Sequence, residues 1–203
     1  MYSQLKQAFN NLNPIADDDW EKLLPDLSLV SFKKRSLFIS PGQIETRIGF
    51  INKGAFRWYF INDKGKEINY HFYFDNGFVT AYDSYMNQKP SELFIEAMED
   101  SEVVILPSRI KLIKLFNQSK YFERIFRLAT TIAYEEAAKR TQELLFLNYE
   151  QRYLKLIKSF PGIFQRVPLH HIATYLNMTP ETLSRIRKRA KWFIMNYLWL
   201  HQH

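Results

Sequence analysis

The segment Val167 to Lys191, VPLHHIATYLNMTPETLSRIRKRAK, constrains the fold more than any other part of the chain. Its apolar residues Ile172, Ala173, Leu176, Met178, Leu183 and Ile186 fall where two short crossed helices would bury a shared face. Ala173 stands where close helix approach requires a small side chain. Asn177 stands at the turn between them, where a positive φ is needed and Asn is the usual substitute for Gly. The second helix has a well-marked start, with Thr179 as N-cap, Pro180 at the first helical position and Glu181 in the first turn. With Leu183 and Ile186 pointing inward, Glu181, Thr182, Arg185, Lys188 and Arg189 make up the outward face.

Those residue types suit a DNA groove. Arginine pairs bidentately with guanine, glutamate accepts from cytosine N4, and threonine touches a thymine methyl. Glu181, Thr182 and Arg185 are therefore the expected base readers. His170, Thr179, Lys188 and Arg189 are the expected phosphate contacts, which hold register without reading sequence. An ordinary amphipathic hairpin with a solvated basic face would share the periodicity. The coincidence of small residue, turn residue, cap and basic face favours the helix-turn-helix. Charge points the same way: residues 1–138 carry 17 Lys and Arg against 18 Asp and Glu, while residues 139–203 carry 11 against 3. The basicity of the chain is concentrated in its last third, as expected when one module meets a polyanion.

With 203 residues, 46% of them hydrophobic, the chain can bury one large core or two modest ones. The absence of cysteine excludes disulfides, zinc–thiolate sites and thiolate-bound iron–sulfur clusters. No signal peptide and no span long enough for a bilayer is read, so a cytoplasmic protein without cofactor or metal is expected. Five of the six glycines lie between Gly42 and Gly77, among strand-like runs at 36–39, 47–52, 55–61, 67–74, 92–98 and 103–106. Short strands at this spacing predict a jelly-roll-like double-stranded β-helix, preceded by a capped helix from Asp17 to Leu24 that Pro25 stops. From about Tyr121 the period becomes helical, and Phe122, Ile125, Ala129, Ile132, Ala133 and Glu136 form a narrow seam fit for a parallel homodimer. Packing of this helix on its own roll would account for some of the same apolar residues.

The expected class is thus α+β: a roll over residues 1–120, a long dimerisation helix over 121–147 and a winged-type helix-turn-helix domain over 148–203. In this order the parts resemble the Crp/Fnr family of bacterial transcription regulators. Thr179-Pro180-Glu181-Thr182-Leu183-Ser184-Arg185 looks like that family's recognition helix, and Glu181, Ser184 and Arg185 are similar to the reading set of its Fnr branch. The resemblance implies a homodimer on a palindromic operator in double-stranded DNA, and RNA polymerase as a further partner. Only residues 162–167 are left for the wing hairpin that many relatives have, so any wing here must be minimal.

The sensor half departs from the family's cyclic-nucleotide pattern. Where that pattern has Gly-Glu-Leu and an Arg for the cyclic phosphate, this chain has Thr80-Ala81-Tyr82 and Ser91-Glu92-Leu93. A buried phosphate without a compensating cation costs several kcal/mol, so cyclic AMP is not the expected effector. Tyr70, Phe72, Tyr82, Ser91 and Glu92 mark a candidate pocket for an unknown effector, the alternative being a roll that serves only as scaffold. A different function, a small-molecule-binding or protein-interaction module on a cupin-like roll that does not bind DNA specifically, is also compatible with the β half. Enzyme activity is not expected, because His71, His170, His171, His201 and His203 form no evident ligand set.

Overall fold

The computed structural model describes the backbone from Tyr2 to Leu200 and the side chains through Ala190. Two helices, α1 (Ser3–Leu12) and α2 (Asp17–Leu23), precede eight strands: β1 (Ser28–Phe32), β2 (Leu37–Ile39), β3 (Gly49–Lys53), β4 (Phe56–Ile61), β5 (Glu67–Tyr73), β6 (Phe78–Val79), β7 (Phe94–Ala97) and β8 (Ser101–Ile105). A short helix, α3 (Tyr82–Asn87), lies between β6 and β7. The strands form two four-stranded sheets, ordered β1-β8-β3-β6 and β2-β7-β4-β5, whose assigned pairings are antiparallel. This is the expected roll, open rather than a closed barrel. The N-terminal helix α1, strands β1 and β6 and helix α3 had no counterpart among the sequence-predicted elements.

β3 explains how the roll is layered. In an ordinary antiparallel sheet one face is wet and strands alternate, but Gly49, Phe50, Ile51 and Asn52 are all buried. Successive side chains point to opposite faces. Phe50, opposite Val104, joins a core with Leu5, Phe9, Trp20 and Leu23 of the N-terminal helices. Ile51, opposite Val103, joins the core between the sheets with Phe38, Phe56 and Ile95. The roll therefore has an inner apolar core and a second one under its helices. At the end of β3, Gly54 has φ +129°, and a Cβ there would lie 2.1 Å from Ser101 Oγ and 2.8 Å from Ser101 Cα.

Helices α4 (Arg109–Gln118) and α5 (Lys120–Phe146) follow. Phe122 and Ile125 of α5 are buried in the helix-covered core of their own chain, beside Leu112 and Leu115. The expected seam is corrected there: these two large residues are used in the roll. Its surface-accessible part consists of Ala129, Ile132 and Glu136, with Ala133 half-buried. The chain ends in α6 (Tyr149–Ser159), α7 (Ile163–Arg166), α8 (Leu169–Tyr175) and α9 (Pro180–Leu200). Two compact units result: one runs to Ile61 and resumes over Tyr70–Glu135, the other combines Asn62–Asn69 with the chain from Glu136 onward. No strand stands where a wing was expected, and residues 162–167 contain the single turn of α7 instead. The apolar stretch from Trp192 to Leu200 continues α9 as helix. Its side chains, and residues 201–203, lie outside the described residues. No described helix is long and apolar enough to cross a membrane.

Gly54→Ala is expected to destabilise the chain by about 2 kcal/mol or more, because both its φ and the adjacent β8 backbone reject a side chain. Urea denaturation checks this, and an unchanged midpoint would contradict it.

Candidate nucleic-acid interface

α8 and α9 are built as the apolar pattern requires. Ile172, Ala173 and Leu183 are completely buried, and Leu176, Met178 and Ile186 nearly so. Burying each of the larger side chains is worth roughly 1.5–3 kcal/mol, which fixes which faces turn inward. The turn closes through Asn177 N–H to Thr174 O at 3.0 Å and Met178 N–H to Ala173 O at 3.0 Å. Asn177 takes φ +55°, the left-handed conformation its side chain type tolerates. Thr179 Oγ1 accepts from Thr182 N–H at 3.2 Å, so the N-cap is formed. α6 has its own capping box, Asn148 with Gln151, and packs Tyr153 and Leu156 into the same unit.

The outward face of α9 presents Glu181, Ser184, Arg185 and Lys188 exposed together. The Glu181 carboxyl is held below its usual range, first by its own backbone N–H and then by Thr179, against a smaller opposing effect of burial, with the charge of Lys66 the least of the causes. It is therefore an ionised acceptor, the state needed to receive a cytosine amino group. Thr182 differs from expectation: it is half-buried, and its hydroxyl is within 3.2 Å of Thr179 Oγ1 and 3.4 Å of Arg185 Nη2. It supports the cap and Arg185 as much as it faces outward.

The expected phosphate contacts divide. Thr179, His170 and Lys188 are exposed. His171 is half-buried, with its ring 4.0 Å from that of His170 and its Nδ1 3.3 Å from Asn69 Nδ2. Arg189 is ion-paired with Glu150 at the start of α6, so a phosphate would have to draw it away. That exchange is cheap, because both partners are largely solvated.

Other basic residues of this region are structural, which charge counting could not reveal. Arg140 of α5 is buried, lies 3.8 Å over the Tyr175 ring, and donates to Tyr175 O at the end of α8. Arg152 is buried beside it and lies 4.9 Å over the Tyr149 ring. Burial pushes the Arg152 guanidinium below its usual range; Tyr149 opposes this and Arg140 adds to it. Arg187 lies over Phe164 at 4.3 Å, and Lys155 pairs with Glu143 at 2.9 Å.

The candidate effector residues other than Glu92 have packing and hydrogen-bond partners of their own. Tyr70 packs edge-on against Trp58 at 4.8 Å, and Phe72 is buried. Tyr82 donates to Thr130 Oγ1 at 3.2 Å. Ser91 is buried and bonds its own loop at Leu93, while Glu92 faces solvent. Inside the sheet β2-β7-β4-β5 the sequence reading missed an ion pair between a buried Arg57 and a half-buried Glu96: Arg57 stands opposite Glu96, donates to it at 3.0 Å and covers the Tyr59 ring at 3.8 Å. Among the described residues no group of three or more His, Asp or Glu is placed to hold a metal ion.

No known family model and no curated protein matches the sequence. Solved structures do. A protein from Eubacterium rectale, assigned as a transcriptional regulator of the crp/fnr family, superimposes with a TM-score of 0.69 at 17% identity, over 91% of this chain and 88% of that one. FixK2 from Bradyrhizobium japonicum gives 0.67 at 17% identity, over 80% and 83%. CLP from Xanthomonas campestris, described as a c-di-GMP responsive global regulator, gives 0.63 at 15% identity, over 87% and 92%. The chain has the Crp/Fnr fold, a β-roll followed by C-terminal helices.

Thr179→Ala is expected to lower stability by about 1 kcal/mol in the absence of DNA, and Thr179→Ser to restore most of it. Thermal unfolding of the two variants checks this; equal stability of all three proteins would contradict the cap.

Proposed function

We propose that the chain is a homodimeric, sequence-specific DNA-binding transcription regulator of the Crp/Fnr type. The observation that carries the reading is the outward face of α9. Glu181, Ser184, Arg185 and Lys188 are exposed on it while Leu183 and Ile186, between them in sequence, anchor the opposite face. Glu181 and Arg185 read bases, with Ser184 and the partly covered Thr182 as secondary contacts. Lys188, His170, Thr179 and a redirected Arg189 meet phosphates. Residues 148–203 are the reading module, 121–147 the dimerisation helix and 1–120 the sensor. The exposed stripe of Ala129, Ile132 and Glu136 on α5 supports pairing with a second copy, which would set two reading helices on the halves of a palindromic operator. RNA polymerase is the further partner such a regulator requires, and the cytoplasm its place of action. The roll lacks a cation at the position where the cyclic-nucleotide pattern has Arg, so its effector is of another kind or absent.

On a selected operator, Arg185→Ala is expected to lose about 1–3 kcal/mol of binding per half-site and to relax preference at one base pair in each half, while Lys188→Ala weakens specific and random duplexes alike. Equal losses for both variants on both duplexes, measured by fluorescence anisotropy, would overturn the assignment. Ile132→Glu is expected to give a monomer in sedimentation, because a charge would be buried in the seam. A dimer of undiminished affinity would place the contact elsewhere.

A further inference from the structure

The turn between β4 and β5 belongs to the same compact unit as the C-terminal helices. It is tightly formed: Asn62 N–H donates to Lys66 O at 3.0 Å, and Asn62 Oδ1 accepts from Lys64 and Lys66 N–H at 3.1 and 2.9 Å. Asn69 fastens it to α8. This residue is only 2% exposed, its Nδ2 donates to Thr174 Oγ1 at 2.8 Å, and its backbone N–H reaches the same oxygen at 3.3 Å. Three residues before Asn69, Lys66 lines a cleft of about 240 Å³ together with Tyr149, Asn177, Thr179 and Thr182. Its side of the cleft thus faces the N-cap and first turn of α9. Lys66 is exposed, and close enough to Glu181 for its charge to act on that carboxylate.

A helix in the major groove meets a row of phosphates on each wall. The cations of α9 begin at Arg185, and its first turn carries the acid Glu181 and no base. Left alone, that turn would bring a carboxylate toward phosphates with only the partial positive charge of its backbone N–H groups to offset the repulsion.

We infer that Lys66, from a strand hairpin outside the helix-turn-helix, is a DNA-phosphate contact flanking the first turn of the reading helix. It supplies at the start of α9 the positive charge that Lys188 supplies further along. Asn69 is its positioning residue, holding the hairpin on α8 so that the ammonium is presented there. The inference rests on α9 being the groove helix.

The test uses the full chain and a salt series on a selected operator and on random duplex, with Lys34→Ala as a control that removes the same charge at an exposed site outside the cleft. Lys66→Ala is expected to weaken both duplexes by the same factor and to reduce the salt slope by about 2, one phosphate contact being lost in each protomer, whereas Lys34→Ala leaves the slope unchanged. In an Asn69→Ala background, Lys66→Ala is expected to have a smaller effect, since the hairpin is no longer held. Lys66→Ala binding with the wild-type slope overturns the inference. So does tighter binding, which would mean that the hairpin shields the helix. Failure of the wild-type chain to bind any duplex overturns the functional reading itself, a result distinct from either.

Discussion

The crossing of α8 and α9 depends on Ala173. With no atoms beyond Cβ and no exposed surface, it lets the two backbones approach until Leu183 and Ile186 close the contact. A larger residue would force the helices apart or out of their rotamers, at a cost of about 1–3 kcal/mol. Asn177 at φ +55° and the Thr179 cap then determine where α9 begins, and with it the rotational register of every residue that follows. The outward placement of Glu181, Ser184, Arg185 and Lys188 is a consequence of that inward packing, because a helix that buries one stripe must show the opposite one.

The basic balance of the C-terminal third has two origins. Part is surface charge on α9, available to a polyanion. Part is internal: Arg140 ties α5 to the carbonyl end of α8, and Arg152 stacks beneath Tyr149. Buried guanidinium groups are costly to desolvate, yet they pair with ring faces and carbonyl oxygens in ways Lys cannot reproduce. The same economy operates in the roll. Arg57 and Tyr59 both donate to Glu96 inside a sheet, and Tyr82 donates to Thr130. Aromatic residues that resemble a ligand cage in sequence are here largely each other's packing partners.

The helix-turn-helix was legible because each of its devices is local: a small residue, a left-handed turn residue and a cap act within a few positions of one another. The strand runs near 47–52, 55–61 and 67–74 were legible from turn residues and alternation. What sequence could not show was set by long-range packing. β1 carries no alternating signal, its first four residues being exposed and only Phe32 buried. Phe122 and Ile125 have the spacing of a dimer seam, yet the helical cover of the roll claims them, and periodicity alone does not distinguish the two destinations. The Asn69–Thr174 pair joins residues 105 apart in sequence, so the position of Lys66 beside α9 has no local signal at all.

The central claim is that α9 reads a defined sequence in duplicate. Selection of bound duplexes from a random pool tests it most directly. The account predicts a two-fold symmetric site whose halves are centred one helical turn apart, about 10 base pairs, with G·C pairs at the same position in each half. Recovery of unrelated sequences, or of an asymmetric single site, would contradict it.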